Sequence, residues 1–188
     1  SDQAGDGLAM VRLDGVTPVA SASVDVTAED VQALGAAMAA MAVAGAFEGA
    51  LKMCVAYSQD RVAFGRPIAK FQAVQHLLAR LAEETAAVVA AAASAAFALE
   101  TAARPMDAFV DIATAKIRAG EAASEGGLIA HQVHGAIGFT ADHPLHRYVQ
   151  RMWSWRDQFG REAVWAERLG RHFAAQGGDA FWKTITAA

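Results

Sequence analysis

Residues 57–76 read YSQDRVAFGRPIAKFQAVQH, and this stretch decides the fold. Alanine dominates the sequence on both sides of it, whereas glycine, proline and polar residues cluster within it. Tyr57 to Arg61 close one helix, with Arg61 in the last turn, where a cation suits the negative end of the helix dipole. Phe64-Gly65-Arg66-Pro67 is a stop-and-turn: Gly65 can take a left-handed backbone, and Pro67 cannot continue a helix but can open one. From Phe71 onward Val74, Leu77, Leu78 and Leu81 recur at helical spacing and predict a second helix. The stretch is therefore an αα corner carrying Arg61, Phe64, Arg66, Gln72, Gln75 and His76. On physics alone, Phe64 and Ile68 can plug such a corner while its polar residues face water.

Working back from the corner, the first helix starts at a cap. Thr27 can accept from the first turn and Asp30 follows three residues later, a capping box with Asp in place of Glu. The spacing of Leu34, Met38, Met41, Ala44, Leu51 and Val55 predicts a helix from about Ala28 to Asp60. Gly35, Gly45 and Gly49 lie inside it; each costs about 1 kcal/mol of propensity against alanine, so a close neighbour is expected there. Ahead of it, MVRLDGV (residues 10–16) and ASVDV (22–26) are β-branched and strand-like, with Asp14-Gly15 and Thr17-Pro18 as turn signals. Residues 1–26 read as the strand-like tail of a preceding β domain or as a strand that pairs with another chain, and 27–188 as a helical domain.

Forward of the corner, the second helix runs to about Ala103 and stops at Arg104-Pro105. Its second half, ETAAVVAAAASAAFALE, is small-sided enough to lie deep in a bundle. A third helix opens near Met106-Asp107 and continues to about His134, with Lys116 and Arg118 expected on its solvated face. Gly135 and Gly138 end it. Further helices run from Pro144 to Trp155 and onward to about Gln176, with a kink or loop at Arg156-Asp157-Gln158-Phe159-Gly160 and a tail without pattern. Trp153, Trp155 and Trp165 around that loop read as core or interface residues, with the lining of a pocket as the alternative. The expected architecture is all-α, an up-down four-helix bundle.

Composition removes several functions. The net charge of −4 provides no general attraction to nucleic acid or anionic membranes. No apolar run predicts a bilayer span, and no leader peptide is visible. The single cysteine, Cys54, excludes an internal disulfide; it falls on an apolar helix side as an inert buried thiol, and a reducing, cytoplasmic setting is expected. His131 and His134 could share a helix face, but no acidic residue at ligand spacing accompanies them, and no metal site is expected. There is no nucleophile elbow and no Gly-rich phosphate loop.

Two segments carry a resemblance. D-R-x-x-F-G-R-P-I-x-x-F-Q-A-V-Q-H, from Asp60 to His76, is similar to a signature of the acyl-CoA dehydrogenase family, and so are Q-x-H-G-A-I-G-F-T and H-P-L-H-R-Y, from Gln132 to Tyr148. Their order, separation and placement at helix junctions match the family's C-terminal four-helix domain. The resemblance implies FAD as cofactor. In the family the first motif reaches the FAD of a neighbouring subunit, which places Arg61 on the pyrophosphate, Phe64 against the cofactor, and Ile68, Phe71 and Gln72 toward the adenosine end. Gln132 and Gly135 would hold the dinucleotide as well, with Ala136 where the family has a second glycine. It also implies a homo- or hetero-oligomer, an acyl-CoA substrate, and an electron-transfer flavoprotein as one electron acceptor.

The reaction needs a carboxylate to remove the α-proton while the flavin takes hydride from the β-carbon. The usual place of that base falls at Phe159-Gly160, so Gly160 stands where a glutamate is expected and Glu162, two residues on, is the candidate. The family's other base position falls near Leu34 to Ala36, also without an acid; Glu29, Asp30 and Glu48 are out of register, and an arginine often kept beside it is lacking. Three readings follow: the C-terminal domain of an acyl-CoA dehydrogenase, a base-less flavin-binding subunit of a hetero-oligomer, or a helical interaction module without activity.

Overall fold

In the computed structural model, which describes residues 1–186, three long helices pack side by side: α1 (Ala28–Asp60), α2 (Gln72–Thr101) and α3 (Phe109–His134). The fourth position is filled in succession by α4 (Leu145–Asp157), which packs on α1 and α3, and α5 (Glu162–Gln176), which packs on α3. The bundle is closed through small side chains, as the composition predicts. Ala33, Ala36, Ala37 and Ala40 of α1 and Ala113, Ala115, Ala119, Ala122 and Ala123 of α3 are buried, with Phe47, Leu81, Ile112 and Met152 filling the remaining volume.

The start of α1 is fixed as its sequence predicts. Thr27 N donates to Asp30 Oδ2 (2.9 Å) and Asp30 N donates to Thr27 Oγ1 (3.2 Å). The buried Asp30 also accepts from Met106 N (3.3 Å) and from the Arg104 guanidinium, so one carboxylate joins the α1 start to the α2–α3 turn. Arg104 and these donors hold it well below the usual carboxylate range.

Several expectations are corrected. Residues 1–26 contain no strand, because a strand needs a neighbour for its ladder and none is present; they run across the surface, with Asp2 held by Ser154 and Asp6 by Arg151 (3.3 Å). A turn forms at Asp14-Gly15 as expected, and another at Gln3-Ala4. The second half of α2 is not deep. Only Thr85, Val88, Ala92 and Ala95 are buried there, and Phe97 is 69% exposed. Lys116, expected in solvent, is buried. The tail forms α6 (Gly178–Thr186), whose Phe181 ring meets Phe173 of α5 edge-on. The expected absence of a bilayer-length span also gives way: α1 and α2 are long and apolar enough to cross a membrane, with windows of mean hydropathy 1.6 and 1.4. Just over half of the α1 window is buried against other helices, the use a bundle core makes of it.

Candidate functional site

The corner is tighter than a helix–helix turn. α1 ends at Asp60, and Val62–Ala63 (β1) pairs antiparallel with Arg66–Pro67 (β2), leaving Phe64-Gly65 as a two-residue hairpin loop. Both loop residues have positive φ, 53° at Phe64 and 78° at Gly65. That pattern suits a type I′ turn, and it is strained for phenylalanine. The ring gains little within the chain, since Phe64 is 95% exposed and meets the Phe71 ring edge-on at a centroid distance of 6.1 Å. A strained backbone that presents an aromatic ring to solvent is the mark of a ring used elsewhere. Phe64-Gly65, which the sequence predicts as a helix stop, is the loop of a hairpin.

Behind the loop, the Arg66 guanidinium lies 4.3 Å from the centroid of the Phe71 ring, so Phe71 is half-buried as a brace rather than free. Gln75 Nε2 donates to Ala69 O (2.9 Å), whereas the Gln72 amide makes no bond among the described residues and is exposed. Arg61 is exposed and has no ion-pair partner among the described residues. Ile68 is half-buried beneath the hairpin.

The second motif lies at the same end of the bundle. His134, at the end of α3, stacks on Tyr57 near the end of α1 (centroids 4.5 Å, planes 22° apart). Its Nδ1 lies 3.0 Å from Ala130 O and 3.7 Å from Cys54 Sγ. His131 stacks instead on Phe139 at 3.8 Å, so the two histidines face different partners. Burial holds both imidazoles below their usual pKa, and burial pushes the Cys54 thiol up to about 12, as fits an inert thiol. With these side chains turned inward, Gln132, Gly135 and Ala136 are left exposed. Gly135 has φ 64°, and no atom lies within 4 Å of where its Cβ would be. The turn is open to backbone approach by a ligand.

These residues fit a dinucleotide. An unpaired guanidinium suits a pyrophosphate, an exposed ring suits a planar cofactor, and free amides beside an open glycine supply donors.

The two positions at which the resemblance implies a base lie elsewhere. Gly35 lies 25 residues before Asp60, about 38 Å along α1 at the α-helical rise. There the Phe159 ring of the α4–α5 loop sits against Gly35; a Cβ at Gly35 would overlap the ring. The two family positions for a base therefore touch one another, and both are without an acid. Gly35, Met38, Ala39, Ala42, Trp155, Gln158 and Phe159 line a cleft of about 280 Å³. Glu162, the candidate base, packs on Gly120 of α3, where its Oε2 is buried without a hydrogen-bond partner. Of the other glycines in α1, Gly49 receives Tyr148 and Gly45 is open, lining a smaller cleft with Arg147 and Arg151. Among the described residues, no group of three His, Cys, Asp or Glu could hold a metal.

The model of the acyl-CoA dehydrogenase C-terminal domain matches residues 27–173. The chain belongs to the acyl-CoA dehydrogenase family. It is 40% identical over 107 residues to the acyl-CoA dehydrogenase IpdE2 of Mycobacterium tuberculosis, which covers 57% of the chain and 31% of that protein. The fold is similar to that of the ChsE4–ChsE5 complex of the same organism, with a TM-score of 0.73, 28% identity, and coverage of 79% of this chain and 40% of that one. A third likeness is to an electron transferring flavoprotein structure of Acidaminococcus fermentans, with a TM-score of 0.68, 32% identity, and coverage of 75% and 36%. This acyl-CoA dehydrogenase domain spans between 20% and 36% of the length of curated relatives.

Proposed function

We propose that the chain is the FAD-contacting and oligomerisation domain of a flavoprotein that dehydrogenates an acyl-CoA thioester between its α and β carbons. The observation that carries this is the Phe64-Gly65 hairpin, which holds an exposed aromatic ring at a strained φ beside the unpaired Arg61. When bound, FAD supplies the hydride acceptor. The chain's own residues hold it: Arg61 neutralises pyrophosphate, Phe64 covers the cofactor, Gln72 and Gln132 donate, and Gly135-Ala136 allow the backbone close. Ile68 and Phe71 support Phe64 from below. The corner and the Gly35–Phe159 cleft are about 38 Å apart, further than one dinucleotide extends. The corner of one subunit therefore serves the cleft of another, in a homo- or hetero-oligomer. The cytoplasm suits the lone thiol, and a second flavoprotein suits the role of electron acceptor.

The contact of Phe159 with Gly35 favours a second reading within the first. With no acid at either position, the chain would serve as a base-less subunit beside a catalytic partner. Turnover by the complete assembly decides between them. Glu162→Gln abolishes turnover if Glu162 is the base and leaves it intact if the base belongs to a partner. The wider reading is tested by flavin content: a complete protein purified without FAD, and unable to take it up, would overturn it.

A further inference from the structure

The buried Lys116 is not used by any step above. It lies in the N-terminal third of α3, 1% exposed, and its Nζ donates to Trp155 O (3.0 Å) and Arg156 O (2.7 Å). Those carbonyls belong to the last turn of α4, whose final acceptors have no intrahelical donor. The C-cap, Gln158, is extended and returns no backbone bond, unlike the Gly135 and Gly177 caps. An ammonium also suits the negative end of the helix dipole. The next residues form the loop: Phe159 and Gly160 both have positive φ (55° and 95°), and the buried Trp165 donates from Nε1 to Phe159 O (2.9 Å). The loop is held at three points: by Lys116 from α3, by Trp165 from α5, and by the Gly35 notch in α1.

We propose that Lys116 is a positioning residue for the ligand cleft. It caps α4 so that Trp155, which it holds directly, and Phe159, three residues beyond the second carbonyl, stand as the cleft's wall against Met38 and Ala39. A lysine buried at this depth costs desolvation, which lowers its pKa to about 8, while Glu162 and Asp157 oppose that shift. Leucine or methionine would fill the same volume without this cost, so the retained amine points to the two carbonyls it holds. This inference rests on the acyl-CoA reading of the cleft.

The test uses the complete flavin-loaded assembly as wild type, K116M, F159A and the double variant. Hydrogen exchange is read at residues 156–161, and affinity is read from the visible spectrum of the flavin on titration with a butyryl- to palmitoyl-CoA panel. In K116M, exchange rises within 156–161 while flavin content stays unchanged, and acyl-CoA binds about tenfold more weakly, as for residues coupled in one network. The double variant loses less affinity than the sum of the two single losses, because Lys116 acts in part through Phe159. Unchanged exchange in K116M overturns the proposal with or without a ligand, and so do additive losses of affinity. Should K116M fail to assemble, K116Q carries the same cycle, with a donor one atom shorter. Absence of flavin from the wild type overturns the cofactor reading, and the exchange arm then still decides on Lys116.

Discussion

The ring of Phe159 occupies the space that a side chain at position 35 would take. A glycine in the interior of α1 costs about 1 kcal/mol against alanine, so the notch is retained against propensity. Gly35→Ala restores the propensity but collides with a ring that is 45% exposed and can swing outward. The two effects nearly cancel, and G35A changes stability by less than about 1 kcal/mol. In the F159A background the collision is gone, and the same substitution stabilises by about 1 kcal/mol. Urea midpoints of the four proteins read this change; a strongly destabilising G35A in F159A would show that something other than the ring fills the notch.

Lys116 makes stability depend on pH at the alkaline end. Its folded pKa, about 8, lies below the unfolded value of about 10.4. Between these values the unfolded chain holds a proton that the folded chain has lost, so this group makes stability rise with pH across that window. K116M removes the rise, which urea midpoints between pH 7 and 10.5 detect. E162Q removes the largest opposing charge, so burial lowers the pKa further and the rise begins at lower pH.

Much of this arrangement is legible in the sequence and some is not. The α1 ends, the Thr27–Asp30 box and the helical corner follow from local signals: capping residues, glycine, proline and helical spacing. The positions of Arg61, Gln132 and Gly135 at one end follow from up-down topology alone. Lys116 was not legible, because the carbonyls that bury it lie on α4, 39 and 40 residues away. The depth of α2 is not legible either, because a run of alanines does not distinguish an inner face from an outer one. Nothing local links Gly35 to Phe159, whose contact exists only once α4 has folded back along α1.

Asp30 gives the same sign of pH dependence at the acid end, through a carboxylate that the fold stabilises in its charged form. Arg104, then Thr27, hold its carboxylate below the ordinary value of about 3.9, so the stability it contributes is complete above that pH and is lost as pH falls further. D30N is less stable than the wild type at pH 7, and the difference narrows below about pH 4. Parallel urea curves from pH 3 to 7 check this; a constant difference would mean that Asp30 acts by shape and not by charge.

Phe64 separates the needs of the chain from those of its cofactor. Its left-handed backbone costs about 1 kcal/mol that glycine would not incur, and its ring packs on almost nothing within the chain. F64G therefore stabilises the cofactor-free protein by about 1 kcal/mol, a shift of about 2–4 °C in Tm for a domain of this size. The same variant removes the ring that covers FAD and retains less flavin after gel filtration. F64A keeps the strain and loses the ring, so it loses flavin without gaining stability. Arg61→Gln leaves Tm unchanged, because the guanidinium pairs with nothing among the described residues, yet it weakens flavin retention most at low salt, where charge pairing is strongest. If F64G raised Tm and kept its flavin, the exposed ring would have no part in the cofactor site, and the hairpin would be a helix corner and nothing more.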